Sequence, residues 1–190
     1  MNESIMRAMR PLAVMAAALL ASGCAVTAVE YRPSGETQAE LRDVRFAPVA
    51  VGSFTAPSDV ANESLSLRGN PMAALQGSYT RYLEEALKLE LDALKALVPK
   101  ADLTVSGTLL RNRVDVLGFN VGEGEIEARF IVARPGNPPL EVVKRVTHTW
   151  ESSFVGAYAV GRAVEQYPVM VQKLVREFLR DERVRAALSR

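Results

Sequence analysis

The chain contains one histidine, His148, and one cysteine, Cys24. That scarcity excludes several kinds of chemistry. A structural zinc site takes about four Cys, His or carboxylate ligands at set spacings, and this chain has too few for one. A disulfide framework needs cysteines in pairs. Charge of one sign is also lacking: 23 basic side chains face 22 acidic ones. No basic field for nucleic acid follows from that balance. After residue 24 no apolar run reaches the roughly 20 residues that a membrane-spanning helix requires. Phosphate loops are missing too. Gly122-Glu123-Gly124 lacks the Lys-Ser/Thr of a Walker motif, and Glu123 and Glu125 would repel phosphate. Neither a metal nor a cofactor is expected.

What is present begins at the first residue. Arg7 and Arg10 precede an uncharged apolar run, Leu12 to Leu20, and small residues follow. This is the layout of a cleaved secretory signal. The stretch Leu20-Ala21-Ser22-Gly23-Cys24 resembles the lipobox of bacterial lipoproteins, with Ala21 where leucine is commonest. The resemblance implies that residues 1–23 are removed as a signal peptide. It further implies that the Cys24 thiol is acylated and that the new amino terminus takes a further chain such as palmitate. Two or three acyl chains hold a protein on a membrane, whereas one binds only marginally. Ala25 stands where, in that family, aspartate would favour inner-membrane retention. The implied address is the outer membrane, facing the periplasm.

The signal takes two arginines and one glutamate with it, so the remainder is neutral. Its length suits one domain. Residues 24–42 are polar and mixed, and read as the lipidated cysteine followed by a flexible tether spanning roughly 23 Å. Residues 43–190 read as a single α+β domain. Val44 to Phe54 reads as a strand, with Pro48 marking an edge or a bulge. Residues 55–70 read as a long polar connection containing Leu65 and Leu67. Asn70-Pro71 reads as a helix start, and an apolar stripe from Met72 to Leu97 continues it, with Gly77 as its weak point.

Three strands follow. Leu103, Val105, Gly107 and Leu109 alternate with polar residues, and then the pattern shifts by one place, as at a β-bulge. Ile126, Ala128, Phe130 and Val132 form the next inward face. Arg134 to Pro139 is a turn cluster. Leu140, Val142, Val146, His148 and Trp150 share one face of the last strand. A helix is expected from near Ala159 to Leu179, interrupted at Pro168. The order β-α-β-β-β-α predicts a two-layer α+β sandwich: a four-stranded antiparallel sheet with two main helices on one face.

Few side chains offer chemistry. Ser152 and Ser153 lie near His148 in sequence, but a hydrolase also needs an orienting group and an oxyanion hole. Glu123, Glu125 and Glu127 form an acidic stripe that reads as a solvated face. Trp150 and Phe154 flank a glycine-containing turn and, with His148, form a candidate rim for a partner or an apolar ligand. Leu65 and Leu67 are candidates for a second such contact. The architecture resembles small envelope-accessory lipoproteins, among them the lipopolysaccharide-assembly and transport-auxiliary lipoproteins. That resemblance implies a non-enzymatic accessory role and an envelope protein as partner. A carrier of lipid or another apolar ligand is the alternative, and an envelope hydrolase a third reading.

Overall fold

The computed structural model describes residues 25–189. Cys24 and the signal-like segment lie outside the described residues. Along the chain come β1 (Val26–Thr27), α1 (Gly35–Leu41), β2 (Val49–Thr55), β3 (Ser64–Leu67) and β4 (Asn70–Ala73). They are followed by α2 (Tyr79–Ala93), β5 (Leu103–Asp115), β6 (Val121–Ala133), β7 (Leu140–Glu151), α3 (Gly156–Leu179) and α4 (Glu182–Leu188). Among the described residues the result is an α+β fold with four helices and two sheets, and neither sheet is a closed barrel.

The main sheet has the order β2-β5-β6-β7. Strands β5, β6 and β7 form the expected antiparallel meander. Strand β2, however, runs parallel to β5, so the expected all-antiparallel sheet is corrected to a mixed one. The reason is topological. The β2–β5 connection includes α2, which carries the chain back before β5 begins, and a crossover of that kind makes its strands parallel. The inward faces alternate as the sequence indicates. In β5 the register jumps between Leu109 and Arg111, leaving Leu110 as the extra residue and turning Asn112 and Val114 inward.

A second, three-stranded sheet has the order β1-β4-β3. It occupies residues expected to be tether, loop and helix. Strands β3 and β4 form a hairpin closed by Arg68 and Gly69, both with positive φ (51° and 83°). Two consecutive positive φ values match the twist of a two-residue hairpin. The helix expected from Pro71 therefore starts eight residues later. Gly77 turns the chain at φ 82°, and Ser78 caps α2 by accepting from the Arg81 N–H. Helix α3 runs without interruption past Pro168.

Helices α2 and α3 cover one face of the main sheet, α2 over β2 and α3 over β6 and β7. The ring of Phe130 stacks on Phe178 (4.2 Å between centroids) and meets Phe54 edge-on at 5.8 Å. Burying each such side chain contributes about 1.5–3 kcal/mol.

The flexible tether is also corrected. Strand β1 pairs with β4, Tyr31 is buried, and α1 is capped by Ser34. Five contacts with the two long helices hold this segment. The Tyr31 hydroxyl and the Ser34 N–H both donate to Glu90 Oε1, each at 2.6 Å. The Tyr82 hydroxyl donates to the Val29 carbonyl, and Gln172 donates to that of Arg32. Arg176 pairs with Glu36. Polar composition suggested solvent, but the segment's few anchors all find partners in the fold.

Candidate functional site

His148 faces inward from β7 and is buried. Its Nδ1 lies 2.8 Å from Lys173 Nζ and its Nε2 lies 2.8 Å from Gln166 Oε1. An ammonium only donates, so Nδ1 accepts and Nε2–H donates to the amide oxygen. Burial pushes the imidazole below its usual range; Gln166 opposes that shift and the Lys173 charge adds to it. Both ring nitrogens are occupied, and neither meets Ser152 or Ser153. The hydrolase geometry is not assembled.

Trp150 also faces inward, directly opposite Gly122 across the β6–β7 ladder, with His148 opposite Gly124. A Cβ on Gly122 would lie 2.4 Å from the indole Nε1, and one on Gly124 would lie 2.7 Å from Met170 Sδ. The Gly-x-Gly pair is thus a shelf for the indole. Trp150 is part of the core and not an exposed rim, because the alternation that places it on one strand face turns that face to the helices. Leu65 and Leu67 are likewise buried in the core and are not a free contact. Of the candidate partner-binding side chains only Phe154 is open, at 70% exposure.

Two of the three carboxylates of the acidic stripe, Glu125 and Glu127, are paired. Glu125 meets Arg111 at 3.3 Å and also Arg145, and Arg145 lies 3.6 Å from Glu127. This outward sheet face is a lattice of opposite charges across neighbouring strands. No cluster of His, Cys, Asp or Glu suited to a metal occurs among the described residues. The surface grooves lie at the periphery, one of about 540 Å³ beside Pro48, Lys100 and Arg134.

Glu90 is fully buried. Burial pushes its carboxyl above the ordinary 4.5, against the opposing pull of its bonds from Tyr31 and Ser34. Oε2 has no partner.

Arg68 organises the one cluster that stands out toward solvent. Its Nε donates to the Val116 carbonyl at 2.7 Å, Nη1 to Phe154 at 2.7 Å, and Nη2 to Gly118 and Ser153 at 3.1 and 3.0 Å. One guanidinium therefore ties the β3–β4 turn to the β5–β6 and β7–α3 loops. Those loops carry Leu117, Phe119 and Phe154, all exposed. Leu117-Gly118-Phe119 could have been noticed in sequence as apolar residues at a hairpin tip, where polar ones are usual. Arg68 left no such pattern, because its partners are carbonyls.

No family model matches the chain, and no curated protein matches it by sequence. Solved structures do share its fold. A Xanthomonas campestris protein described under the family model DUF330 has a TM-score of 0.55 at 14% identity, over 80% of this chain and 91% of that one. A minor lipoprotein from Acinetobacter baumannii has a TM-score of 0.44 at 12% identity, over 75% and 93% of the two chains. A rare lipoprotein B from Shewanella oneidensis has a TM-score of 0.32 at 18% identity, over 55% and 78%. This chain is therefore similar in fold to the Xanthomonas protein.

Proposed function

We propose that this chain is a lipid-anchored accessory protein of the bacterial cell envelope. Acyl chains on Cys24 hold it at the periplasmic face of the outer membrane, where it docks onto an envelope protein and catalyses no reaction. The observation that carries this reading is where the fold begins. Val26, two residues past Cys24, is already paired with Met72. Anchoring at Cys24 thus fixes the folded body itself at the surface. Ala25 favours outer-membrane sorting by the lipobox resemblance. The pairing of polar side chains supports the reading as well: His148 is held by Gln166 and Lys173, and Glu125 by arginines. The stacked and edge-on rings of Phe54, Phe130 and Phe178 between sheet and helices favour this reading over a carried lipid held there.

The test combines palmitate labelling of wild type and Cys24→Ala with membrane fractionation and photo-crosslinking from the outward face of β7. We expect label in the wild type alone, outer-membrane fractionation, and a discrete envelope protein captured only by the anchored chain. Equal labelling, or none in either, defeats the anchor. An anchored chain that captures no protein defeats the accessory role.

A further inference from the structure

Strand β1 runs parallel to β4, with Val26 beside Met72 and Thr27 beside Ala73. The chain therefore enters the fold from the Arg68–Gly69 end of the β3–β4 hairpin and moves away from it. Ala25 is exposed at that end. Cys24 directly precedes Ala25 in the chain. Arg68, in the same turn, holds the 116–118 and 153–154 loops. Anchor point and loop tips thus share one end of the domain.

That end is also where exposed apolar side chains concentrate. Among the described residues, Leu117, Phe119, Val121, Phe154, Val155 and Tyr158 are exposed there. The others, Val29, Leu75, Val98 and Val143, are less exposed than the three loop-tip residues, at 41–50%. Leu117, Phe119 and Phe154 are 70% or more exposed, so they protrude and do not line a groove. The opposite end sets Lys100, Asp102 and Arg134 beside Ala47, Pro48 and Pro135, so charged groups stand among its small apolar ones.

We propose that this end rests on the bilayer that holds the acyl chains, with Leu117, Phe119, Phe154 and Tyr158 entering the lipid interface. The inference rests on acylation of Cys24. With no spacer between anchor and fold, the tips are held continuously at lipid. Aromatic side chains partition into the interfacial layer, and apolar area buried there adds to the hold of the acyl chains. Glu123 and Glu151, near these tips on the outward sheet face, keep the contact shallow, because a carboxylate stays in water. A protein cap over the same tips would use similar side chains. The bilayer is favoured because the chain's own anchor point emerges beside them.

The test uses the full acylated protein, its acylation verified by mass, in phosphatidylethanolamine–phosphatidylglycerol vesicles. Spin labels are placed one at a time through Leu117→Cys, Phe119→Cys and Phe154→Cys, with Asn137→Cys in the β6–β7 turn as the control. The Cys24 sulfur, already a thioether, takes no label. At the three tips we expect loss of access to a water-soluble nickel chelate and retained access to dissolved oxygen, with Asn137→Cys open to the chelate. Acylated protein whose tips are as open to the chelate as the control overturns the membrane contact and leaves the anchor standing. Protection that arises only when an envelope extract is added also overturns it, in favour of a protein cap. An unacylated mass defeats the anchor and, with it, this contact.

Discussion

The indole of Trp150 lies across Gly122, its Nε1 only 2.4 Å from the point where a Cβ on that glycine would stand. The two are opposite one another in the β6–β7 ladder. The atoms met belong to the rigid, buried indole ring, which has no flexible end to give way, so a larger residue is not accommodated cheaply. Gly122→Ala is expected to destabilise by about 1–3 kcal/mol, the usual cost of overpacking. Because Trp150 is the single tryptophan, a red-shifted emission should accompany the lowered denaturation midpoint. Gly124→Ala should be milder, since it meets the flexible end of Met170. Unchanged emission and midpoint in Gly122→Ala would contradict the shelf.

Glu90 gives a pH signature. Its folded carboxyl holds a proton above the ordinary 4.5. The unfolded chain therefore ionises first, and this contribution is complete below about pH 4.5 and lost as pH rises through the folded value. Glu90→Gln keeps an acceptor for Tyr31 and Ser34 and should flatten that slope. Glu90→Ala leaves both donors unpaired and should cost about 1–3 kcal/mol. Urea midpoints of the three proteins between pH 4 and 8 decide the matter. Parallel curves would refute the assignment.

His148 acts in the opposite sense. Its folded value is depressed below 6.5, so the unfolded chain takes up a proton first as pH falls. Its contribution is present above pH 6.5 and declines below it. His148→Gln should remove this loss on acidification. NMR titration of the lone imidazole gives the folded value directly, and a value at or above 6.5 would contradict its burial beside the Lys173 charge.

Arg68 should be irreplaceable by lysine. Four carbonyls in three directions suit a planar fork, whereas an ammonium offers a compact point charge. Arg68→Ala and Arg68→Lys should both lose about 1.5–3 kcal/mol, as for hydrogen bonds to a charged donor. Amide exchange should quicken in segments 116–121 and 152–156 while β6 stays protected. Full rescue by lysine would mean that charge and not geometry holds the loops.

Parts of this architecture are written plainly in the sequence. Ile126 to Phe130 and Val146 to Trp150 alternate cleanly because β6 and β7 each have one core face and one polar face there, whereas Val143 and Lys144 break the pattern in β7. The phase shift in β5 is visible too, and Leu110 is the residue that causes it. Other parts are carried by tertiary contacts that leave little local pattern. Helix α1 is seven residues long and depends on Glu90, Gln172 and Arg176 from distant helices. Strands β3 and β4 are four residues each, and Asn70-Pro71 has good helix-start chemistry that Gly77 and Ser78 override. For the site, Phe154 was legible because an aromatic in a turn has little to bury against. Trp150 and His148 were placed on the right strand face, but periodicity alone does not say whether that face meets water or a helix.

The shortness of β1 has a mechanical consequence. Tension applied through Ala25 reaches the body along a strand of two residues paired to β4. Those few bonds yield first, and the pull then meets the Tyr31 and Ser34 bonds to Glu90 on α2. The amino-terminal lead thus acts as a short shock absorber ahead of a firm stop. A body dragged by its anchor would lengthen by a few residues and keep its main sheet. Force spectroscopy through residue 25 should record a small early extension before the main unfolding event, and a single rupture of the whole domain would rule this out.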